Sequence, residues 1–407
     1  MHKFGRRLTA GVLAAAVGWA VSLGTAQSQE PTSIKVGWAI SKTGPYVGGA
    51  TITLLNAYKL WVKDVNAAGG IQVGGKKLPV EVVEYDDRSN SDELVKALER
   101  LITQDKVDFI FPPWGTAFSM ASGPIFNRAG YPLILVTATT DRAPELAKRW
   151  PNSFWLLGTG AEMANGFVAV LTKLRQEGKI GSTVAMVSVS DQFGIEMSTA
   201  AREAFKKGNF TLSYDKSYPL GSQDLQPLLT DAMRSNADVF MAASYPPDTL
   251  AINDQARVLN YNPKVFYTAV GTAFPLFKGR FKENIEGVMG TGGMNSDSPQ
   301  FKEYLKRHVE ANNAEPDRWA NPVAYAGLQM LQQALERVGK VDRAAVIKEL
   351  QTGSFDTLVG KIKLEDNLRK DAWQVGQWQG GEYYGIAPAN KEGAKAPIFP
   401  KPAWKAQ

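Results

Sequence analysis

From Ile34 onward the chain alternates two patterns: short, mostly apolar runs, and longer stretches in which apolar positions recur every three or four residues. The first pattern predicts strands and the second amphipathic helices. Strands are expected at 34–40, 153–158, 183–189, 212–218, 239–243, 265–268 and 288–293. Helices are expected at 51–68, 92–104, 161–177, 195–207, 225–235, 250–259, 300–312, 322–338 and 343–350. The 51–68 helix carries apolar residues at Leu54, Leu55, Tyr58, Leu60, Trp61 and Val65, and Gly69-Gly70 supply the left-handed backbone that ends it. Strand and helix in regular alternation predict an α/β fold. The chain changes character near Phe355, where strands joined by polar turns are expected, and 389–407, rich in Lys and Pro, is expected to be a flexible tail.

The stretch 108–140, DFIFPPWGTAFSMASGPIFNRAGYPLILVTATT, reads as strand, small-residue turn, short helix, strand and a second small-residue turn. Two turns at the same end of neighbouring parallel strands form one crevice. There, backbone N–H groups and helix N-termini are free to receive an anion. The first turn offers Gly115, Thr116, Ala117 and Ser119, and the second Thr137, Ala138, Thr139 and Thr140. Hydroxyls in these turns either donate to a ligand or cap the helices that follow.

Ahead of this α/β region, Lys3, Arg6 and Arg7 precede an apolar run that ends in Gly24-Thr25-Ala26, the pattern of a secretory signal peptide spanning 1–26. Cleavage after Ser28 is an alternative, and the paired arginines leave the export route open. Removing the peptide takes three positive charges and no negative one, so the net charge falls from +6 to +3. That balance argues against a nucleic-acid partner. No later segment has an apolar run long enough to span a bilayer. The mature protein is expected to be soluble and periplasmic, with two domains.

An exported chain without cysteine relies on core burial rather than disulfides, and has neither thiol chemistry nor thiolate metal sites. Only two histidines exist; His2 lies in the signal peptide and His308 in a charged helix, where it reads as surface decoration. This composition counts against a Ser-His-Asp triad or a zinc centre, so no enzyme activity, catalytic residue, metal or cofactor is expected. The spacing Gly70-x4-Gly75-Lys76 falls short of a phosphate-binding loop, because Lys77 replaces the required Ser or Thr and no helix follows.

Lys42-Thr43-Gly44-Pro45 after the first strand, Asn66-Ala67-Ala68-Gly69-Gly70-Ile71 at the end of the first helix, Asp86-Asp87 after the hairpin, and Gln255-Ala256-Arg257 recur in a characteristic order and spacing. In these features the chain resembles the periplasmic substrate-binding proteins of branched-chain amino acid ABC transporters, from Ile34 to Ile386. The resemblance implies a type I binding fold: two similar lobes, each a mostly parallel sheet flanked by helices, joined by a three-strand hinge. The expected lobes are 31–157 plus 289–361 and 158–288 plus 362–388.

The resemblance also implies a monomer that traps a small carboxylate between its lobes and delivers it to a membrane permease. It places the ligand carboxylate on Thr116, Ala138 and Thr140, with Gly115 and Trp114 in the same loop. Asp248 matches the family's partner for the ligand ammonium, its alternative being a first-turn acid favoured by the helix dipole. Phe193 stands at a family tyrosine position, and Tyr325 matches an aromatic that lines the site or packs in the core. Gly49 replaces another tyrosine and leads one to expect a roomier, more aromatic pocket, open to an aromatic acid as well as to Leu, Ile or Val. A sensory binding module of the same fold and a hydrolase of small amides are the other functional classes; a free chain with its own leader favours transport.

Overall fold

The computed structural model describes residues 31–405; the expected signal peptide and its cleavage point lie outside these residues. In the first lobe Ile34–Ile40 is the central strand, parallel to Val80–Asp86 on one side and to Phe109–Phe111 on the other. A further parallel pair, Leu133–Leu135 with Ser153–Trp155, belongs to the same lobe. The second lobe is built on a seven-stranded sheet. Its order is Glu382–Ala387, Val375–Gln379, Met289–Thr291, Val265–Thr268, Val239–Ala243, Thr183–Val189 and Thr211–Tyr218. The last five strands are mutually parallel, and Val375–Gln379 runs antiparallel to both of its neighbours.

Parallel strands covered on both faces have no solvent-facing alternation. Val239–Ala243, VFMAA, is accordingly buried at every position. The helices cover the sheets with their apolar stripes, as in Gly160–Gln176, whose Met163, Phe167, Leu171 and Leu174 are buried. Its start is fixed by Thr159, whose hydroxyl accepts from Glu162 N while the Glu162 carboxylate accepts from Thr159 N.

Three connections cross between the lobes, after Trp155, after Thr291 and after Leu368. They are stitched together by backbone hydrogen bonds: Arg369 N donates to Trp155 O (2.8 Å) and Gly292 N to Gln374 O (3.1 Å). Two crossings come later in the chain than the sequence leads one to expect. Met289–Thr291 pairs inside the second lobe's sheet, and Leu368 stays with the first lobe, buried among Leu133, Leu135 and Trp155 and bridged to Trp155.

Other departures have local causes. The first helix starts at Val47 and contains a π-helical turn, Thr51–Leu55, in which Thr53 Oγ1 donates to Gly49 O (2.8 Å). The helices Ala143–Arg149 and Pro275–Phe281 are too short to show a period in sequence. His308 is not at the surface but fully buried, its Nδ1 2.7 Å from Ala314 O, and desolvation lowers its pKa. It completes the inward stripe Phe301, Tyr304, His308, at spacings of three and four, that the charged residues around it mask.

The 389–405 segment is likewise not loose. Lys401 is 3% exposed and donates to Asn262 Oδ1, while Trp404 Nε1 donates to Tyr261 O (2.7 Å) and its ring meets Phe266 edge-on. Aromatic side chains in this Lys/Pro-rich stretch are what anchor it. Among the described residues no helix is long and apolar enough to cross a membrane.

Candidate ligand-binding site

The two turns singled out in sequence follow Phe109–Phe111 and Leu133–Leu135 at their carboxyl ends, and hydrogen bonds lock them together. Gly115, at φ 90° and the N-cap of helix Thr116–Ala129, donates its N–H to Thr137 Oγ1 (3.0 Å). In return Thr139 N donates to Thr116 Oγ1 (3.2 Å). Each hydroxyl accepts from the other turn's backbone, which leaves the Thr116 hydroxyl proton free to donate. Only glycine adopts the Gly115 backbone without strain. Thr140, fully buried, instead accepts from Arg142 N (3.1 Å), so its hydroxyl serves the turn before Ala143–Arg149.

Facing these turns from the second lobe are Phe193 and Tyr245, stacked at 4.9 Å between ring centroids. Tyr245 also meets Trp114 (5.2 Å) and Tyr46 (5.9 Å), so rings from both lobes touch across the crevice. The cavity left between Gly115, Thr137, Thr139, Phe193, Tyr245 and Trp319 is about 20 Å³. The expected aromatic lining is present, but the expected extra room is not. A Cβ on Gly49 would lie 2.2 Å from Trp114 Cζ2, so the indole occupies the space a larger residue 49 would take. A close-packed interior refills such a gap with whichever ring is within reach.

Two carboxyls stand behind the rings. Asp191 caps helix Gln192–Lys207 through its Oδ1, which accepts from Gly194 N (2.9 Å). Its Oδ2 is buried, and the Tyr245 hydroxyl faces the same carboxyl, favouring its charged form. Asp248, 1% exposed, lies in the first turn of Pro246–Val258; its Oδ2 accepts long bonds from Tyr218 Oη and Tyr245 N, both 3.4 Å, and its Oδ1 has no partner.

Burial pushes the Asp248 carboxyl up to about 6, with the charge of Asp191 adding to the shift. Burial likewise raises Asp191, against hydrogen bonds that favour its charged form. Burial and the nearby Asp191 push the Tyr46 hydroxyl up to about 12. Ser119 Oγ, in the first turn of Thr116–Ala129, is also buried and unpartnered. Buried polar atoms rarely go unpaired in a folded protein.

Of the residues proposed from sequence, Trp114, Gly115 and Phe193 line the cavity, Thr116 holds its wall, and Ala138 is buried between Thr137 and Thr139. Asp248 lies behind Tyr245 rather than on the cavity surface. Tyr325 is elsewhere: its hydroxyl donates to Asp64 Oδ2 (2.6 Å) and accepts from Arg307, and its ring packs on Tyr304. Residues that sequence reasoning did not single out are Asp191, Trp319, Thr53 and Val270. Asp191 had a signal, an acidic N-cap at the carboxyl end of an apolar strand. Trp319 had none, since it comes from a distant loop. Among the described residues no cluster of His, Cys, Asp or Glu could hold a metal ion.

A family model described as periplasmic binding protein matches residues 33–382. The Leu/Ile/Val-binding protein of Escherichia coli (strain K12) is 26% identical over 308 residues, covering 75% of this chain and 79% of that protein. The isoleucine-bound substrate-binding protein of a Streptococcus pneumoniae branched-chain amino acid transporter superposes with a TM-score of 0.76 at 21% identity, over 88% of this chain and all of that one. A solute-binding protein from Rhodopseudomonas palustris, in complex with 3,4-dihydroxybenzoic acid, gives 0.74 at 21% identity, over 88% and 96%.

Proposed function

Because the chain belongs to the periplasmic binding protein family, we propose that its crevice captures a small carboxylate that also carries an ammonium group, and that closure delivers this amino-acid-like ligand to an ABC importer. The carrying observation is the asymmetry of the crevice. Helix Thr116–Ala129 begins there with the Thr116 hydroxyl and backbone N–H groups on one side, and the buried carboxyls of Asp191 and Asp248, the latter with its Oδ1 unpartnered, stand on the other. A helix N-terminus favours an anion, and a desolvated carboxyl pair favours a cation. The relatives bind Leu, Ile and Val, a zwitterionic class that satisfies both sides. The chain acts as a monomer in this reading, since one chain supplies both walls.

A second reading takes the ligand to be a hydroxylated aromatic acid. The observation favouring it is the ring cluster of Tyr46, Trp114, Phe193 and Tyr245. Ring hydroxyls of such a ligand would donate to Asp191 and Asp248 in place of an ammonium. A thermal-shift screen of amino acids and hydroxylated benzoic acids separates the classes. A ligand at 100 times its dissociation constant adds about 2.7 kcal/mol of stability. A screen with no hit in either class would overturn the proposal.

The anion side makes a finer test. Hydrogen bonds to charged groups contribute about 1.5–3 kcal/mol, so Thr116→Ala is expected to weaken binding roughly 10- to 150-fold by calorimetry. Thr140→Ala, whose hydroxyl is engaged by Arg142 N, is expected to lower stability by about 1 kcal/mol with a smaller loss of affinity. Unchanged affinity in Thr116→Ala would remove the carboxylate from this turn.

The raised Asp248 carboxyl predicts a pH signature. A folded-state value near 6, above the ordinary 3.8, means that the neutral form is favoured in the fold. The stability this confers is present below the ordinary value and is lost as pH rises through 6. An ammonium ligand needs the ionised form, so its affinity should rise about tenfold from pH 5 to pH 7 while the ligand-free protein becomes less stable. Affinity that is flat across this range would exclude an ion pair with Asp248.

A further inference from the structure

Beside the crevice, a separate cavity of about 350 Å³ lies at the hinge. Its volume is in the range of pockets that hold small organic ligands. All three crossings contribute to its wall: Leu156 and Leu157 from the first, Gly293 to Asn295 from the second, Arg369 and Asp371 to Trp373 from the third. Leu157 and Trp319 form a partition shared with the crevice cavity.

The walls are built rather than accidental. Trp319 lies against Gly292, where a Cβ would come within 1.8 Å of the indole, and Trp373 lies against Gly385 in the same way, at 2.2 Å. Two indoles and Leu157, Val323, Leu358 and Val359 give the space apolar walls beside its charged and polar groups. Its charge is ordered by depth. The Arg369 side chain is 3% exposed and donates through Nε to Asp371 Oδ1 (2.7 Å), whereas the Asp371 side chain is 54% exposed. Lys391, with its side chain 20% exposed, reaches the other oxygen of Asp371 (3.2 Å) and lies over Trp373. Glu392, the remaining acid of the lining, is exposed. The cations are therefore the inner members and the acids the outer ones. A guanidinium beside stacked apolar surface recognises a planar carboxylate.

We propose that the hinge cavity is a second binding site, separate from the crevice, for a small carboxylate with a flat apolar body, held by Arg369 and sandwiched by Trp319 and Trp373. A molecule there would touch every connection between the lobes at once.

The test uses 4-bromobenzoate and the anomalous signal of its bromine in crystals of the full mature protein. The expected result is a bromine peak between Trp319 and Trp373, with the carboxylate on Arg369. The peak should persist in Thr116→Ala and vanish in Val359→Trp, whose indole would plug the cavity from the hairpin turn. In solution Arg369→Gln should weaken the hinge association tenfold or more, and Thr116→Ala should leave it unchanged. Bromine found only in the crevice, or nowhere, overturns the hinge site. Loss of the hinge peak in Thr116→Ala would equally overturn it, by making the two spaces one site. The outcome is independent of which ligand the crevice takes.

Discussion

Asp248→Asn is expected to bind an amine-bearing ligand two to nearly four orders of magnitude more weakly than the wild type. The carboxyl is buried, its Oδ1 is unpartnered, and its only hydrogen bonds are two long contacts at 3.4 Å. Breaking a desolvated charge pair by removing one partner costs about 3–5 kcal/mol, because the cation left behind cannot recover its hydration. Asparagine keeps an acceptor of the same shape. If the ligand offers a hydroxyl instead of an ammonium, the variant should bind as well as the wild type, or better, once the negative charge is gone.

Asp191 is the necessary companion measurement, since its carboxyl is buried beside Tyr245 and its charge adds to the raised value of Asp248. The ligand-free Asp248→Asn protein should be more stable than the wild type at pH 7, where the buried carboxyl is ionised at a cost. That gain is a folding control. Calorimetry with the best ligand of the screen decides the matter. Equal or tighter binding by Asp248→Asn excludes an ammonium contact at this position.

Trp114→Ala is expected to lower stability by about 3–5 kcal/mol, the range for deleting a buried large aromatic. Trp114 is 3% exposed and meets Tyr46 and Tyr245. Gly49→Ala should be destabilising as well, by driving a methyl group to within 2.2 Å of the indole. The two changes should not add. Once the indole is gone, the Gly49 methyl group enters free space, so the double variant should be no less stable than Trp114→Ala alone. Urea unfolding of the four proteins gives the coupling energy directly. Additive losses would mean that Trp114 does not occupy the volume glycine leaves at position 49. Removing the indole should also enlarge the crevice, and aromatic acids should then gain affinity relative to Leu, Ile or Val.

The succession of elements was legible in the chain because it rests on local periodicity. Runs such as VFMAA at 239–243 have no polar position, which only a doubly covered parallel strand requires. Gly69-Gly70 ends a helix by backbone conformation alone, and both residues do adopt positive φ. The crevice turns were legible for the same reason: small residues and hydroxyls after apolar strands are a local signal, and the structure ties Gly115 to Thr137 and Thr116 to Thr139.

What sequence could not decide was which side chains fill shared space. Gly49 and Trp114 are 65 positions apart, and only their packing shows that one ring takes the volume expected to be free. His308 and Lys401 are polar residues in charged surroundings, and both are buried by partners remote or masked in sequence. Asp191 and Asp248 are separate helix-start acids in the chain; their mutual field, and the value near 6 that results with burial, exists only once two loops converge on Tyr245. Periodicity and turn chemistry act over a few residues, so the sequence determines them. Volume, burial and field depend on distances between segments far apart in the chain, and those distances are set by the tertiary fold.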